Sequence, residues 1–252
     1  MPVRQEQFGA VSLVTLDRPK VRNALDQQAL HAVAEALDRA AAPGSGIRCV
    51  VLTGAGERSF CAGLDLADAA GSGLPDPDTS PLARLRSGYP LPVVAALNGA
   101  AVGGGLELAL ACDLRIAAEH AVFALPEVSL GFAATEGGVE LGRLVPFGIA
   151  LELMLTAERV DAARAFDVGL VNRVLPADEV LPVAMELARR ISSHSPAGVR
   201  ASKELAYRAL WQEPSQLHRL ARKRTEELME GEDAAEGLAA FRERRRPRFR
   251  DV

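Results

Sequence analysis

Three consecutive glycines, Gly103-Gly104-Gly105, stand between an apolar run that ends at Leu97-Asn98-Gly99 and a helical pattern that opens with Leu106-Glu107-Leu108. Glycine allows close approach of backbone to backbone or ligand, and a helix N-terminus presents unpaired N–H groups with partial positive charge. The segment therefore suits an anion, or an oxyanion that develops during a reaction. A dinucleotide site is the obvious competitor and fits poorly. The glycines are contiguous instead of spaced as GxGxxG, the strand before them is not the first, and no ribose-binding acid stands at the expected distance.

The flanking pattern is α/β. Ala10 to Leu16 alternates and stops at Asp17-Arg18-Pro19, which reads as the strand that opens the domain. From Asp26, placed as an N-cap, Leu30, Val33, Ala34 and Leu37 recur at helical spacing until Pro43-Gly44. Arg48 to Thr53 and Pro92 to Leu97 read as short buried strands, and strands that alternate with helices imply a parallel sheet. Ala69 to Pro81 lacks periodicity and is rich in Gly, Ser, Pro and Asp, so a mobile surface loop beside a substrate entrance is expected. A helix through Ala111 is followed by strands near Leu114 to Ala118 and Ala121 to Ala124, and the sheet is expected to belong to the first half. From Pro182 onward, spaced apolar residues mark successive amphipathic helices. The expected division is a core over residues 1–190 and a helical region over 191–252.

Composition excludes several classes. With 252 residues, 48% hydrophobic and 25% charged, the chain can bury a sizeable core and is neither disordered nor fibrous. A formal net charge of −4 gives no global attraction to nucleic acid or anionic lipid. No apolar stretch reads as a signal peptide or a membrane span. Cys49, Cys61 and Cys112 have no CxxC spacing or nearby histidine, so no metal site and no disulfide framework are expected, and the location is expected to be cytoplasmic. His31, His120, His194 and His218 show no triad or ligand spacing, and Trp211 is expected to pack between C-terminal helices.

Two further segments carry chemistry. The turn Arg58-Ser59-Phe60-Cys61-Ala62-Gly63-Leu64-Asp65-Leu66 can point backbone N–H groups outward, although an ordinary turn fits the same residues. Glu107 follows Gly104 by three residues, which puts carboxylate and N–H donor on one side of the first helical turn. An acid there also simply complements the helix dipole. Glu127, in Leu125-Pro126-Glu127-Val128, sits among apolar neighbours that would raise its pKa and favour a proton-carrying role, or it is a solvated loop residue.

Taken in order, Arg18-Pro19 with Arg22-Asn23-Ala24-Leu25, Phe60-Cys61-Ala62-Gly63-Leu64-Asp65-Leu66, Asn98-Gly99 with Gly103-Gly104-Gly105-Leu106-Glu107-Leu108, and Pro126-Glu127 with Leu130-Gly131 resemble the crotonase, or enoyl-CoA hydratase/isomerase, family. The resemblance implies a spiral core of ββα turns in two roughly perpendicular sheets, a helical C-terminal trimerisation region, and assembly as a homotrimer or a dimer of trimers. It implies an acyl-CoA thioester substrate, with coenzyme A as part of that substrate and no separate cofactor. The backbone N–H groups of Leu64 and Gly104 would hold the thioester oxygen, and Glu107 and Glu127 would hold a water between them. Coenzyme A would lie along Arg22, Ala24, Ala62, Asp65 and Leu66. Phe241, in a basic tail that otherwise reads as a solvated end, would contact adenine or phosphates.

The segment Ala133-Ala134-Thr135-Glu136-Gly137-Gly138 departs from the family's glycine-rich stretch and adds Glu136 near the place where dienoyl-CoA isomerases carry an acid. Glu136 is thus a candidate catalytic residue, specificity residue or helix-start acid. The implied activity is hydration of a trans-2-enoyl-CoA. Alternatives are an enoyl-CoA or dienoyl-CoA isomerase, or a non-catalytic acyl-CoA-binding or scaffold protein of the same fold.

Overall fold

The structure is a computed structural model that describes residues 1–73, 76 and 80–250. Its strands are β1 (Val3–Phe8), β2 (Val11–Leu16), β3 (Cys49–Gly54), β4 (Ser59–Cys61), β5 (Val93–Leu97), β6 (Ala100–Val102), β7 (Leu114–Ala118), β8 (Val122–Ala124), β9 (Val160–Asp161) and β10 (Arg173–Leu175). Its helices are α1 (Gln27–Ala41), α2 (Leu66–Ser72), α3 (Pro81–Arg86), α4 (Gly104–Ala111), α5 (Leu141–Leu144), α6 (Phe147–Thr156), α7 (Ala162–Asp167), α8 (Ala177–Ser192), α9 (Pro196–Arg208), α10 (Pro214–Met229) and α11 (Glu232–Glu243).

Local chemistry explains the well-read elements. The Asp26 carboxylate accepts from Ala29 N at 2.7 Å and caps α1, whose buried Leu30, Val33, Ala34 and Leu37 form one face. All residues of β2 and β3 are buried, as expected for strands covered on both faces. The sheets are ordered β1-β2-β3-β5-β7-β10 and β4-β6-β8-β9. Every neighbouring pair is parallel except β1 with β2 and β8 with β9. Three times the chain lays a longer strand in the large sheet and then a three-residue strand in the small one: β3 then β4, β5 then β6, β7 then β8. Asn98 ties two of these crossings together, its amide donating to Gly56 O at 2.7 Å while its Oδ1 accepts from Gly54 N at 3.1 Å.

Several expectations are corrected. The strand over Ala10 to Leu16 is preceded by β1, a polar edge strand with four of its six residues exposed, whose only apolar anchor facing the core is Val3. The sheet does not end in the first half. β10 pairs with β7, and Asn172 and Arg115 exchange hydrogen bonds at 2.8 Å beside that pair. A three-residue strand is too short to display period-two alternation. The expected loop Ala69 to Pro81 is shortened at both ends by α2 and α3, and its residues 74, 75 and 77–79 lie outside the described residues. The helix read from Pro182 begins at Ala177, with Pro182 inside it. That helix packs across β2, β3, β5, β7 and β10, while α9, α10 and α11 pack on one another. Trp211 is not buried between helices: it follows α9, is 53% exposed, and the Arg143 guanidinium lies 3.1 Å from its ring centroid. Among the described residues no helix is long and apolar enough to cross a membrane.

The small sheet places the glycines. A Cβ on Gly105 would overlap the Cys61 carbonyl, and one on Gly63, whose φ is +96°, would lie 2.7 Å from Val102 O. Helix α4 therefore meets the end of β4 backbone to backbone. Gly105→Ala forces these segments apart and is expected to destabilise the fold by about 1–3 kcal/mol in urea unfolding, the range for overpacking a filled core.

Candidate active site

Parallel strands β4, β6 and β8 are neighbours, so the segments leaving their C-terminal ends emerge side by side. These are Ala62–Asp65 after β4, Gly103–Gly104 after β6, and Leu125–Glu127 after β8. The cluster thus collects Leu64, Gly104, Glu107 and Glu127 from a stretch of sequence that spans 63 positions from first to last.

The turn after β4 runs beside the turn 22–25. Leu25 N donates to Gly63 O at 2.8 Å, Asp65 N to Leu25 O at 2.9 Å and Ala62 N to Arg22 O at 3.0 Å. Leu64 lies between the two groups that face Leu25, so its own N–H points the other way. Gly104 is the first residue of α4, and a Cβ placed on it would lie 3.7 Å from Leu64 N. Among the described residues neither the Leu64 nor the Gly104 N–H has a protein acceptor. Two backbone donors with no partner therefore sit together at a helix N-terminus.

Glu107 is 6% exposed, in the first turn of α4. One oxygen, Oε1, accepts three backbone N–H groups, from Glu136 at 3.0 Å, Gly137 at 2.7 Å and Gly138 at 3.1 Å. This locks the carboxylate and leaves Oε2 outside the clamp. The clamp requires Gly137, because a Cβ there would lie 2.7 Å from Glu107 Cα. The sequence signal for it was the pair Gly137-Gly138, which spacing alone does not connect to an acid thirty residues earlier.

Glu127 faces the same place. A Cβ on Gly103 would lie 3.0 Å from Glu127 Oε1, and Glu127 Oε2 is buried with no hydrogen-bond partner among the described residues. Burial pushes the Glu127 carboxyl above its ordinary range, its own backbone N–H offsets part of this, and the Glu107 charge adds to the rise. Two carboxyl groups held unlike one another, one clamped by donors and one poor in them, suit opposite proton duties.

Glu136 contributes its backbone to the Glu107 clamp, while its side chain turns to Arg86. Glu136 Oε2 is 3.7 Å from Arg86 Nη1, and Glu140 Oε2 is 3.5 Å from Arg86 Nε. Arg86, on α3, was not singled out from sequence, since nothing local marks it. Its side chain also lines a cavity of about 800 Å³ between the core and α9–α10, together with Glu140, Arg143, Lys203 and Trp211. That cavity contains none of Leu64, Gly104, Glu107 and Glu127, and the glycine-lined cluster is the better candidate site because unpaired donors and acids converge there.

The other singled-out residues separate into two groups. Arg22, at φ 56°, Ala24, Ala62, Asp65 and Leu66 line the paired turns, and Leu66 is 53% exposed. Phe241 lies on α11, away from that strip, and is 83% exposed. The basic tail is tied down in part: Arg245 pairs with Glu236 and Glu243, and Arg48 Nη2 donates to Phe249 O at 2.9 Å. Cys61, buried beside the site, has its thiol pushed up to about 12 by burial, so it stays protonated at neutral pH and is no nucleophile.

Because the folded carboxyl of Glu127 titrates above its unfolded value, it weighs on stability only when ionised: stability is undiminished below the ordinary carboxylate range and is lost as pH rises through the folded pKa. Glu127→Gln removes that load. Its melting temperature is expected to exceed that of the wild type by roughly 1–3 °C at pH 8, with the difference closing near pH 4 in calorimetric scans.

The sequence profile of the family described as Enoyl-CoA hydratase/isomerase matches residues 6–252. The chain is 41% identical over 252 residues to the carnitinyl-CoA dehydratase of Proteus mirabilis (strain HI4320), covering 96% of this chain and 95% of that protein. It is 38% identical over 261 residues to the (E)-benzylidenesuccinyl-CoA hydratase of Thauera aromatica, covering 99% of each. Among solved structures, the enoyl-CoA hydratase of Mycobacterium tuberculosis H37Rv superposes with a TM-score of 0.94 at 35% identity, covering 100% of this chain and 99% of that one. The chain belongs to the enoyl-CoA hydratase/isomerase family and has the crotonase fold.

Proposed function

We propose that the protein is an enoyl-CoA hydratase. The observation that carries this reading is the meeting of two carboxyl groups, Glu107 and Glu127, with two unpaired backbone N–H groups at the start of α4. The thioester oxygen of a trans-2-enoyl-CoA accepts from Leu64 N–H and Gly104 N–H, and gains negative charge as water adds to the β-carbon. One such donor contributes about 3 kcal/mol to the transition state. Glu107 takes the proton from the water, and Glu127 delivers a proton to the α-carbon. The raised pKa of Glu127 favours the protonated form that this duty needs.

Related proteins named as a hydratase and a dehydratase support hydration over isomerisation. So does the pairing of Glu136 with Arg86, which engages the additional carboxylate that a third acid-base role would use. Coenzyme A lies along Arg22, Ala24, Ala62, Asp65 and Leu66. Phe241, exposed on α11, contacts the adenine or phosphates of coenzyme A bound to a neighbouring subunit. Assembly as a homotrimer or a dimer of trimers is supported by the apolar stripe Phe147, Leu151 and Leu155 exposed along α6. Three free, buried cysteines suit a reducing, cytoplasmic setting.

The purified protein is expected to consume crotonyl-CoA, read as loss of the enone absorbance. Glu107→Ala and Glu127→Gln each lower kcat by roughly 10²–10⁴-fold. Glu136→Gln stays within about tenfold of the wild type, because the three-donor clamp uses the backbone of residue 136. Conversion of a 3-enoyl-CoA with crotonyl-CoA left intact assigns the site to isomerisation instead.

A further inference from the structure

Arg18 underlies both turns of the proposed coenzyme A strip, and no step of the proposed reaction uses it. Its Nη1 donates to Ala24 O, and its Nη2 lies 2.8 Å from Asp26 Oδ2 and 3.1 Å from Asp65 Oδ2. Its backbone N–H donates to Asn23 Oδ1 at 3.0 Å, and the Asn23 amide reaches Ala55 O at 3.0 Å and Ser59 O at 2.8 Å. Both aspartates are N-caps, Asp26 of α1 and Asp65 of α2. The side chains of Arg18, Asp26 and Asp65 are 22%, 19% and 19% exposed, so this is a largely desolvated fork and not a screened surface pair. A further link, Gln27 N to Asp68 Oδ2 at 3.2 Å, joins the same two helix starts.

The geometry ties two ends of one ligand site together. Arg22 and Asn23 hold φ of 56° and 58°, a left-handed region that is uncommon for residues with a Cβ other than Asn and Asp. Residues 22–25 and 62–65 share three backbone hydrogen bonds, and Leu64 N–H is the next group along that strip. A ligand pressing on the turn 22–24 therefore loads Arg18 through Ala24 O, and Arg18 loads Asp65, the residue after Leu64.

We propose that Arg18 is a positioning residue that couples occupancy of the turn 22–24 by the nucleotide end of coenzyme A to the placement of the Leu64 N–H. Contacts remote from the reacting carbons then raise kcat and do not merely lower KM, the signature of remote binding used at the reacting centre. The chemical consequence rests on the hydratase reading, while the mechanical coupling does not.

The test compares crotonyl-CoA with crotonyl-N-acetylcysteamine, which carries the thioester without the nucleotide end, in the wild type, Arg18→Gln and Arg18→Lys. In the wild type, truncation lowers kcat at least about tenfold. Arg18→Gln lowers kcat for crotonyl-CoA by about 10–100-fold and for the truncated thioester by less than about threefold, so the ratio between substrates collapses toward one. Arg18→Lys, with the charge but not the fork, falls between the two. Equal losses on both substrates, or a change in KM alone, overturns the proposal.

Amide hydrogen exchange with free coenzyme A gives a readout independent of turnover. In the wild type, coenzyme A slows exchange at residues 22–25 and also at Leu64 and Asp65. In Arg18→Lys, protection at 22–25 persists and protection at Leu64 is lost. Protection at Leu64 that survives the substitution, or that is absent in the wild type, overturns the coupling. A wild type that shows this exchange pattern but turns over neither thioester refutes the hydratase reading and leaves the coupling standing. If Arg18→Gln does not fold, Arg18→Lys carries both measurements.

Discussion

Direct packing of backbone on backbone is the constraint from which the site follows. Helix α4 reaches the end of β4 only because Gly105 has no Cβ to meet the Cys61 carbonyl, and the turn after β4 passes under Val102 only because Gly63 has none either. With side chains removed from that contact, the Leu64 and Gly104 N–H groups come together without acceptors. The same device recurs at Gly137, which brings three N–H groups onto one oxygen of Glu107. Glycine here costs conformational entropy that the two sheets must offset.

The small sheet makes this possible by being short. Three-residue strands β4, β6 and β8 deliver the chain to one edge at three successive turns of the spiral, while the longer strands β2, β3 and β5 are buried along their whole length in the large sheet. At the far end of α4, the buried Arg115 guanidinium donates to the carbonyls of Ala109, Cys112 and Leu170, which satisfies the helix C-terminus and leaves its N-terminus as the open, electropositive end.

The two carboxyl groups differ through their surroundings and not through their chemistry. Glu107 is surrounded by donors, and Glu127 has one oxygen buried without any. Their separation into unlike environments is what lets neighbouring acids take opposite parts in moving one water's protons. Glu136 contributes differently again, through its N–H, while its side chain lies within ion-pair distance of Arg86.

Much of this was legible in the sequence because it depends on local rules. The Asp26 cap and the face of α1, the apolar runs of β2, β3 and β5, the α/β alternation, and the glycine turns around Leu64 and Gly104 each announce themselves within a few residues. For Glu127 the apolar neighbours left two readings open, partial burial with a raised pKa or a solvated loop residue, and the fold selects the first. Tertiary structure alone decided the rest. β4, β6 and β10 are too short for their alternation to register, so only pairing reveals them. The clamp on Glu107, the turn of Glu136 toward Arg86, and the fork of Arg18 between two helix caps join residues 29, 50 and 47 positions apart where they meet as Glu136–Glu107, Glu136–Arg86 and Asp65–Arg18. Hydrogen-bond geometry across such separations is set by how the sheets place their ends, and no window of sequence contains it.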